Sequence, residues 1–191
     1  IDALEEIEKE TGRKVYTILQ LRLHPSIIAL KKQIDEAPAG TKHEVDLKYI
    51  TSRGHWYHTS WKGDLQKSGG IATNIGVHFF DMLIWIFGNV KENKVVEHTK
   101  VTASGKLELE KASVNWMLSI DAETLPADIK AAGKRTYRTL TINNQSIEFS
   151  DGFTELHTQS YQDIINGNGF RLSDTKKAIE TVHDIRNFFK K

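Results

Sequence analysis

The chain has 191 residues, and its 26 Lys and Arg side chains almost balance its 25 Asp and Glu side chains, leaving a formal net charge of +1 at pH 7. This balance gives no electrostatic reason to expect nucleic acid or an anionic membrane as a partner. Cysteine is absent, which excludes disulfides, thiol catalysis and cysteine-bound metal centres and favours a cytoplasmic location. The most apolar stretch, residues 75–87, is shorter than the roughly 20 residues of a membrane span, so we predict no such span.

The first part of the chain alternates helical and strand patterns. In chain order, the predicted elements are a helix over 2–11, a strand over 15–23, a helix over 25–36 and a strand over 45–51. Asp2 and Glu5 have the spacing of a capping box, and Gly12 is a suitable helix stop. Because the chain starts at Ile1 and the first helical pattern begins at once, we expect a fragment of a longer protein.

Residues 53–70 show neither helical nor strand periodicity, and we predict a long loop there. The segment is nevertheless rich in aromatic side chains, with Trp56, Tyr57 and Trp61 close together. A long aromatic loop in a compact domain is usually functional. The alternative is that the two tryptophans cap the core.

The second part of the chain is dominated by strand patterns. Gly69 and Gly70 permit a tight turn before a helix over about 71–87. The later predicted elements are strands over 95–103, 107–110, 114–120, 136–142 and 146–149, then helices over about 156–166 and 174–189, the last with Ser173 as its N-cap. This order predicts an α+β fold with an open, mainly antiparallel sheet covered by helices on one face. No G-x-G-x-x-G dinucleotide fingerprint is present.

A polar stripe on the helix after Gly70 is the best candidate site. Asn74, His78 and Asp81 have the i, i+4, i+7 spacing of one helix face. The histidine suits general acid–base work near neutral pH, Asn74 suits orientation of a hydroxyl group, and Asp81 would hold the imidazole from behind. Two alternatives stay open, namely a buried structural histidine and a metal site that also uses His55 and His58.

The residues from Gly69 to Asp81 carry a resemblance to a known family. Their pattern, GG-x-x-x-N-x-G-x-H-x-x-D, resembles the signature of the Gfo/Idh/MocA oxidoreductases, which usually have Asp at the position of Asn74. Longer segments over 53–83, 107–121 and 155–170 resemble the sugar-nucleotide branch of that family. The resemblance implies a missing N-terminal Rossmann domain, of which residues 1–23 would be the last helix and strand. Residues 24–191 would form the α+β substrate-binding and oligomerisation domain.

The resemblance also implies an activity. The full-length parent would be an NAD-dependent enzyme, with NADP not excluded, that oxidises the 3-hydroxyl of UDP-N-acetylglucosaminuronic acid for surface polysaccharide synthesis. His78 would be the catalytic histidine, and Asn74 would position the sugar. The substrate-binding candidates are Arg53, Tyr57, Trp61, Lys62, His157, Ser160 and Tyr161. For the last three, helix capping by Thr158 or Ser160 and surface packing by Tyr161 are the alternative.

This interpretation has further consequences for the isolated chain and its assembly. The cofactor would be bound mainly by the missing domain, so the fragment alone should be inactive. We expect a homodimer or homotetramer formed through the open sheet face. The alternatives are a non-enzymatic module that binds sugar nucleotides and a related dehydrogenase for another sugar.

Overall fold

The computed structural model describes residues 1–147 and 153–188. These residues contain one six-stranded sheet with the order β2-β3-β4-β1-β5-β6. Its strands are β1 (His43–Thr51), β2 (Val90–His98), β3 (Thr102–Leu109), β4 (Ala112–Ser119), β5 (Thr136–Ile142) and β6 (Gln145–Ile147). β1 runs parallel to β4, and the other neighbouring strands are antiparallel. The predicted α+β fold with a mainly antiparallel sheet is confirmed.

The helices form the second layer. They are α1 (Asp2–Thr11), α2 (Pro25–Glu36), α3 (His55–Thr59), α4 (Leu65–Ser68), α5 (Val77–Phe87), α6 (Ala127–Ala131), α7 (Leu156–Ile165) and α8 (Leu172–Asn187). Short 3₁₀ turns occupy Gln20–Leu23, Trp61–Gly63 and Ala122–Thr124, and a π-helical turn occupies Ala72–Gly76.

The core lies between α5 and one face of the sheet. Phe80 on α5 is fully buried, and its ring packs edge-on against Trp116 of β4 at a centroid distance of 5.1 Å. Along β1, Val45 and Leu47 are buried whereas Asp46 is exposed. This alternation leaves one sheet face apolar and covered by helices and the other face polar and open.

Several predicted elements are found where the sequence pattern indicates them. The helices over 2–11 and 25–36 have the predicted bounds, and Gly12 ends the first with a φ of 68°. Asn143 and Asn144 have φ angles of 49° and 65°, as a tight turn between β5 and β6 requires. The last predicted positions of β6, 148–149, lie outside the described residues.

The predicted strand over 15–23 is wrong. Only an isolated bridge between Tyr16 and Arg171 forms there, after which the chain enters the 3₁₀ turn Gln20–Leu23. β-branched residues favour a strand only when another strand lies beside them. Within the described ranges, no strand of the sheet pairs with this segment.

The strand predicted over 95–103 is also wrong, because a turn divides it. β2 ends at His98 and β3 begins at Thr102. The hydroxyl of Thr99 accepts hydrogen bonds from the backbone N–H groups of Val101 and Thr102 at 3.2 and 2.9 Å. A side chain that satisfies backbone donors in this way favours a turn over a continued strand.

Two predicted helix caps are replaced by other contacts. Ile1 occupies the N-cap position of α1 without a side-chain bond, and Asp2 and Glu5 each bind Lys176 of α8 at 2.8 Å. Tertiary ion pairing has replaced the local capping box.

The N-cap predicted at Ser173 for the last helix is wrong, because α8 already begins at Leu172. Arg171 is its N-cap, and its backbone N–H donates to the Asp174 carboxylate at 2.7 Å. The predicted end of this helix at 189 lies outside the described residues.

The helical run Leu65–Phe87 is long and apolar enough, by length and composition, to cross a membrane. The prediction that no stretch qualifies is therefore wrong by that criterion. However, 67% of its most apolar window is buried inside the fold. Core helices of soluble proteins meet the same criterion, so this run is weak evidence for a membrane span.

Candidate active site

A cleft of about 230 Å³ opens beside the start of α5. Its lining consists of Gln20, Leu21, Tyr49, Arg53, Asn74, Ile75, His78, Phe79, Arg138 and Phe153. The fold thus brings together Arg53, Asn74 and His78, which the sequence analysis singled out. It adds polar side chains that the sequence analysis did not name.

Asn74 lies in the π-helical turn that precedes α5. Its side-chain amide donates to the hydroxyl of Tyr57 at 2.9 Å, and Tyr57 is only 3% exposed. A Cβ at Gly76 would lie 2.7 Å from side-chain atoms of both Leu118 and Phe80. The turn therefore sits tightly on the sheet, which fixes the amide of Asn74 at the cleft wall.

His78 is half-buried on the first turn of α5. Its Nδ1 atom is fully buried and finds no hydrogen-bond partner among the described residues. Burial, and then the like charge of His157, lower the pKa of His78 below its ordinary value of 6.5. The imidazole is therefore neutral near pH 7 and able to accept a proton.

The structure corrects the role predicted for Asp81. Its carboxylate is fully buried and binds the guanidinium of Arg22 through two hydrogen bonds, of 2.8 and 2.5 Å. Burial raises the pKa of Asp81, and the adjacent Arg22 opposes that effect. Because the carboxylate faces Arg22, it does not hold the imidazole of His78.

Arg22 ties three parts of the fold together. Besides Asp81 on α5, its guanidinium donates to the backbone carbonyl of Asp174 at 2.7 Å and lies 5.1 Å from the ring centroid of Phe170. A buried, bidentate ion pair with a further hydrogen bond has well-defined geometry. The 3₁₀ turn Gln20–Leu23 is therefore fixed against the helix that carries His78.

Arg53 presents a cation to the same cleft. Its guanidinium carbon lies 5.9 Å from the ring centroid of Tyr57. In the described part of the chain, its Nε is buried without a hydrogen-bond partner. A guanidinium in this setting suits a carboxylate or phosphate ligand.

The segment 53–70 is not the aperiodic loop that we predicted. It forms α3, a 3₁₀ turn and α4 in succession. Trp56 and Trp61 are 54% and 56% exposed, so the alternative in which they cap the core is wrong.

Trp61 and Lys62 lie outside the lining of the His78 cleft. The Lys62 ammonium lies 6.0 Å from the ring centroid of Trp56 and 5.9 Å from that of Trp61. These three side chains therefore form a surface cluster of their own.

The three candidates on α7 differ in their surroundings. His157 acts electrostatically on His78, Ser160 is buried, and Tyr161 is 56% exposed. The N-cap of α7 is Glu155 and has no side-chain cap bond, so the alternative of N-terminal capping by Thr158 or Ser160 is wrong.

Sequence reasoning missed Gln20, Tyr49 and Arg138 in the cleft. Tyr49 and Arg138 are register partners on β1 and β5, and the Arg138 guanidinium carbon lies 5.1 Å from the Tyr49 ring centroid. Both strands were predicted, but only the antiparallel pairing places these two side chains together.

The metal alternative gains no support from the geometry. Within residues 1–147 and 153–188, no group of three or more His, Cys, Asp or Glu side chains is placed to hold a metal ion. His55 and His58 lie on α3, and neither lines the cleft that contains His78.

A protein family and several solved structures are similar to this chain. The sequence profile of the oxidoreductase family's C-terminal alpha/beta domain matches residues 31–121. A structure of the WlbA (WbpB) dehydrogenase from Thermus thermophilus in complex with NAD and alpha-ketoglutarate is 47% identical, with a TM-score of 0.92. That match covers 97% of this chain and 59% of the dehydrogenase chain.

Two further solved structures extend the comparison. The Thermus thermophilus dehydrogenase in complex with NAD and UDP-GlcNAcA is 46% identical, with a TM-score of 0.91, 97% coverage of this chain and 59% of that chain. The WlbA dehydrogenase from Bordetella pertussis in complex with NADH and UDP-GlcNAcA shares the fold at 16% identity, with a TM-score of 0.72, and the match covers 99% of this chain and 64% of that one. The chain thus spans less than two thirds of the length of these dehydrogenases. Over residues 31–121 the chain matches the C-terminal alpha/beta domain of the Gfo/Idh/MocA oxidoreductase family.

Proposed function

We propose that the parent protein is an NAD-dependent dehydrogenase that oxidises the 3-hydroxyl of UDP-N-acetylglucosaminuronic acid. In this proposal the present chain supplies the substrate side of the active site. The observation that carries the proposal is the cleft in which His78, with its lowered pKa, lies beside Asn74 and Arg53. The Thermus thermophilus dehydrogenase in complex with NAD and UDP-GlcNAcA, 46% identical, supports the choice of substrate.

The cofactor belongs to the part of the parent outside this chain. The described residues contain no glycine-rich turn between a parallel strand and a helix that would hold a dinucleotide. In the parent, a nicotinamide cofactor would accept the hydride from the alcohol carbon, and both NAD and NADP remain compatible with the residues present. The fragment alone should therefore be inactive.

His78 would act as the base in this reaction. The neutral imidazole would accept the proton of the 3-hydroxyl, and the cofactor of the parent would supply the hydride acceptor for the carbon atom that carries this hydroxyl. General acid–base assistance of this kind contributes about 10²–10⁴-fold to a rate. A lowered pKa keeps the imidazole in its proton-accepting form at neutral pH.

The other cleft residues would bind and orient the sugar. The Asn74 amide, held by Tyr57, would position the reacting hydroxyl without adding a negative charge next to an anionic substrate. The Arg53 guanidinium would pair with the uronate carboxylate or the diphosphate. Trp61 and Lys62 would contact the uracil ring and a phosphate from outside the cleft.

None of the three candidates on α7 lines the cleft, so they would act on the sugar nucleotide from outside it. We assign His157 and Ser160 to the sugar nucleotide and Tyr161 to its outer, solvent-facing part. The effect of His157 on the pKa of His78 supports this placement. Because Ser160 is buried, its hydroxyl would contact the sugar nucleotide only through a ligand group that extends to the surface of α7.

We also propose a domain division, an assembly and a location. Residues 1–23 would complete the dinucleotide-binding domain, and 24–191 would form the substrate-binding and oligomerisation domain. The open sheet face has exposed polar side chains such as Asp46 and Asn115, which are paired across β1 and β4. A homodimer or homotetramer would form through this face, in the cytoplasm, as part of surface polysaccharide synthesis.

Restoring the missing half of the parent tests the proposal. The measurement follows nicotinamide absorbance with NAD and UDP-N-acetylglucosaminuronic acid, for wild type beside His78→Asn. Reduction of NAD by the wild type and its loss in the variant are expected. Binding of the nucleotide sugar without reduction would indicate the non-enzymatic module, whereas reduction with a different sugar alone would indicate a related dehydrogenase.

A further inference from the structure

Gln20 is a buried polar residue that the proposed mechanism does not use. It lies in the 3₁₀ turn Gln20–Leu23 and is only 9% exposed. Its Oε1 atom is fully buried and accepts no hydrogen bond from the described residues. Since buried polar atoms are nearly always satisfied, an unsatisfied carbonyl at a cleft needs an explanation. A ligand that donates a hydrogen bond would supply one.

The position of Gln20 indicates that its side chain would contact the same ligand as His78. Gln20, Asn74 and His78 all line the one cleft. Two residues after Gln20, Arg22 forms the buried ion pair with Asp81, which follows His78 on α5 by three residues. The ion pair therefore fixes the backbone of the turn against the helix of His78, and this places the side chain of Gln20 at the cleft.

The polar groups of the cleft differ in whether they donate or accept hydrogen bonds. The guanidinium of Arg53 only donates hydrogen bonds and suits an anionic group, whereas the carbonyl of Gln20 only accepts. The reacting hydroxyl is assigned to His78. The ligand group that remains for Gln20 to bind is a neutral hydrogen-bond donor close to the reacting carbon of the sugar.

We propose that Gln20 is a specificity-determining residue that accepts a hydrogen bond from the donor on a carbon adjacent to the reacting one, the 4-hydroxyl or the 2-acetamido N–H. The inference rests on the proposed function and extends it to a residue that carries no assigned role. A site built to bind such a donor discriminates against an analogue that lacks it, because the buried acceptor is then left unpaired.

The test uses the full-length parent with three variants. Gln20→Met keeps the length of the side chain and removes the acceptor, Gln20→Glu keeps an acceptor oxygen, and Gln145→Met is the matched control on the exposed edge strand β6. Each enzyme is assayed with UDP-N-acetylglucosaminuronic acid, its 4-deoxy analogue and its 2-deoxy analogue. The quantity compared is the ratio of kcat/KM for the substrate to that for each analogue.

We expect the wild type and Gln145→Met to prefer the substrate over one analogue by about tenfold to a hundredfold. Gln20→Met should bring that ratio close to one with an unchanged KM for NAD, and Gln20→Glu should restore part of it. The analogue that responds identifies the donor. Loss of fold stability alone does not change a selectivity ratio.

Two results would overturn the inference. The first is that Gln20→Met keeps both wild-type ratios. The second is that its only effect is a raised KM for NAD, which would place Gln20 at the cofactor. Failure of the wild type to reduce NAD with the substrate would instead overturn the proposed function, so the two failures are distinguishable.

Discussion

The buried polar groups around α5 differ in whether the fold satisfies them. We call the Arg22–Asp81 ion pair the core side and the polar groups that line the cleft the cleft side. On the core side, Asp81 has both carboxylate oxygens bonded to Arg22. On the cleft side, His78 Nδ1, Arg53 Nε and Gln20 Oε1 are buried without partners in the described part of the chain. Asp81 follows His78 by three positions, yet the carboxylate of Asp81 is satisfied within the described residues and the Nδ1 atom of His78 is not. Satisfied buried groups stabilise the domain, and unsatisfied ones around a cleft indicate where a ligand completes it.

The largest expected effect tests the cleft side. In the full-length parent, His78→Asn should lower kcat about 10²–10⁴-fold because it removes the proposed base. The midpoint of thermal unfolding should stay close to that of the wild type, because Nδ1 makes no hydrogen bond with the described residues that the substitution would break. Steady-state kinetics and a thermal melt on the same samples measure both.

His183→Asn is the matched control for this experiment. His183 is an exposed histidine on α8, and its replacement should leave kcat unchanged. An effect of His78→Asn on KM alone, with kcat preserved, would remove His78 from proton transfer.

The next effect tests the core side. Asp81→Asn should lower the free energy of unfolding by about 3–5 kcal/mol, because it leaves Arg22 buried without its counter-ion. Urea denaturation of the two proteins measures this difference. The acid limb of the activity profile should stay where it is in the wild type, since Asp81 faces Arg22 rather than His78.

A double variant separates the ion pair from simple packing. Replacing both partners, as Arg22→Met with Asp81→Leu, should recover most of the lost stability, because no unpaired charge remains. If Asp81→Asn were instead as stable as the wild type, the ion pair would not be what fixes the turn Gln20–Leu23 to α5.

Much of the fold could be predicted because its signals are local. The α2 helix follows from a first-turn proline and an apolar stripe, and the turn at Asn143–Asn144 follows from the φ angles that these residues tolerate. Elements that depend on distant partners were predicted less well. The segment 15–23 has the composition of a strand but no neighbouring strand in the described residues, and the acids of α1 bind Lys176 on α8 instead of capping their own helix.

The site could be predicted only in part for the same reason. Helical spacing placed Asn74 and His78 together, and both line the cleft. The same spacing misled for Asp81, because its burial partner Arg22 lies 59 positions away in sequence. Tyr49 and Arg138 are brought together by strand register, which composition does not reveal.

A smaller effect is expected on the KM for the nucleotide sugar. It allows the cleft to be compared with the exposed aromatic cluster of Trp56, Trp61 and Lys62. Arg53→Gln should raise the KM for the nucleotide sugar about tenfold to a hundredfold, because a partly buried guanidinium loses a charge-assisted bond to the ligand. Lys62→Gln should raise it less than about fivefold, since its ammonium lies between exposed rings where ionic contacts contribute little. Titration of each variant with UDP-N-acetylglucosaminuronic acid gives both values. The reverse order would move the anion site from the cleft to the cluster.

The smallest effect concerns pH and the histidine on α7. His78 must be neutral to accept a proton, so kcat/KM should fall as the pH drops through the pKa of His78, which lies below 6.5 because of burial and the charge of His157. Removing that like charge with His157→Gln should raise the pKa of His78, and the acid limb should move to higher pH. The expected loss of activity at pH 7 is small, since most of the imidazole stays neutral there. An acid limb that does not move, or that moves to lower pH, would show that α7 does not act electrostatically on the base, and His157 would lose its place in the proposed site.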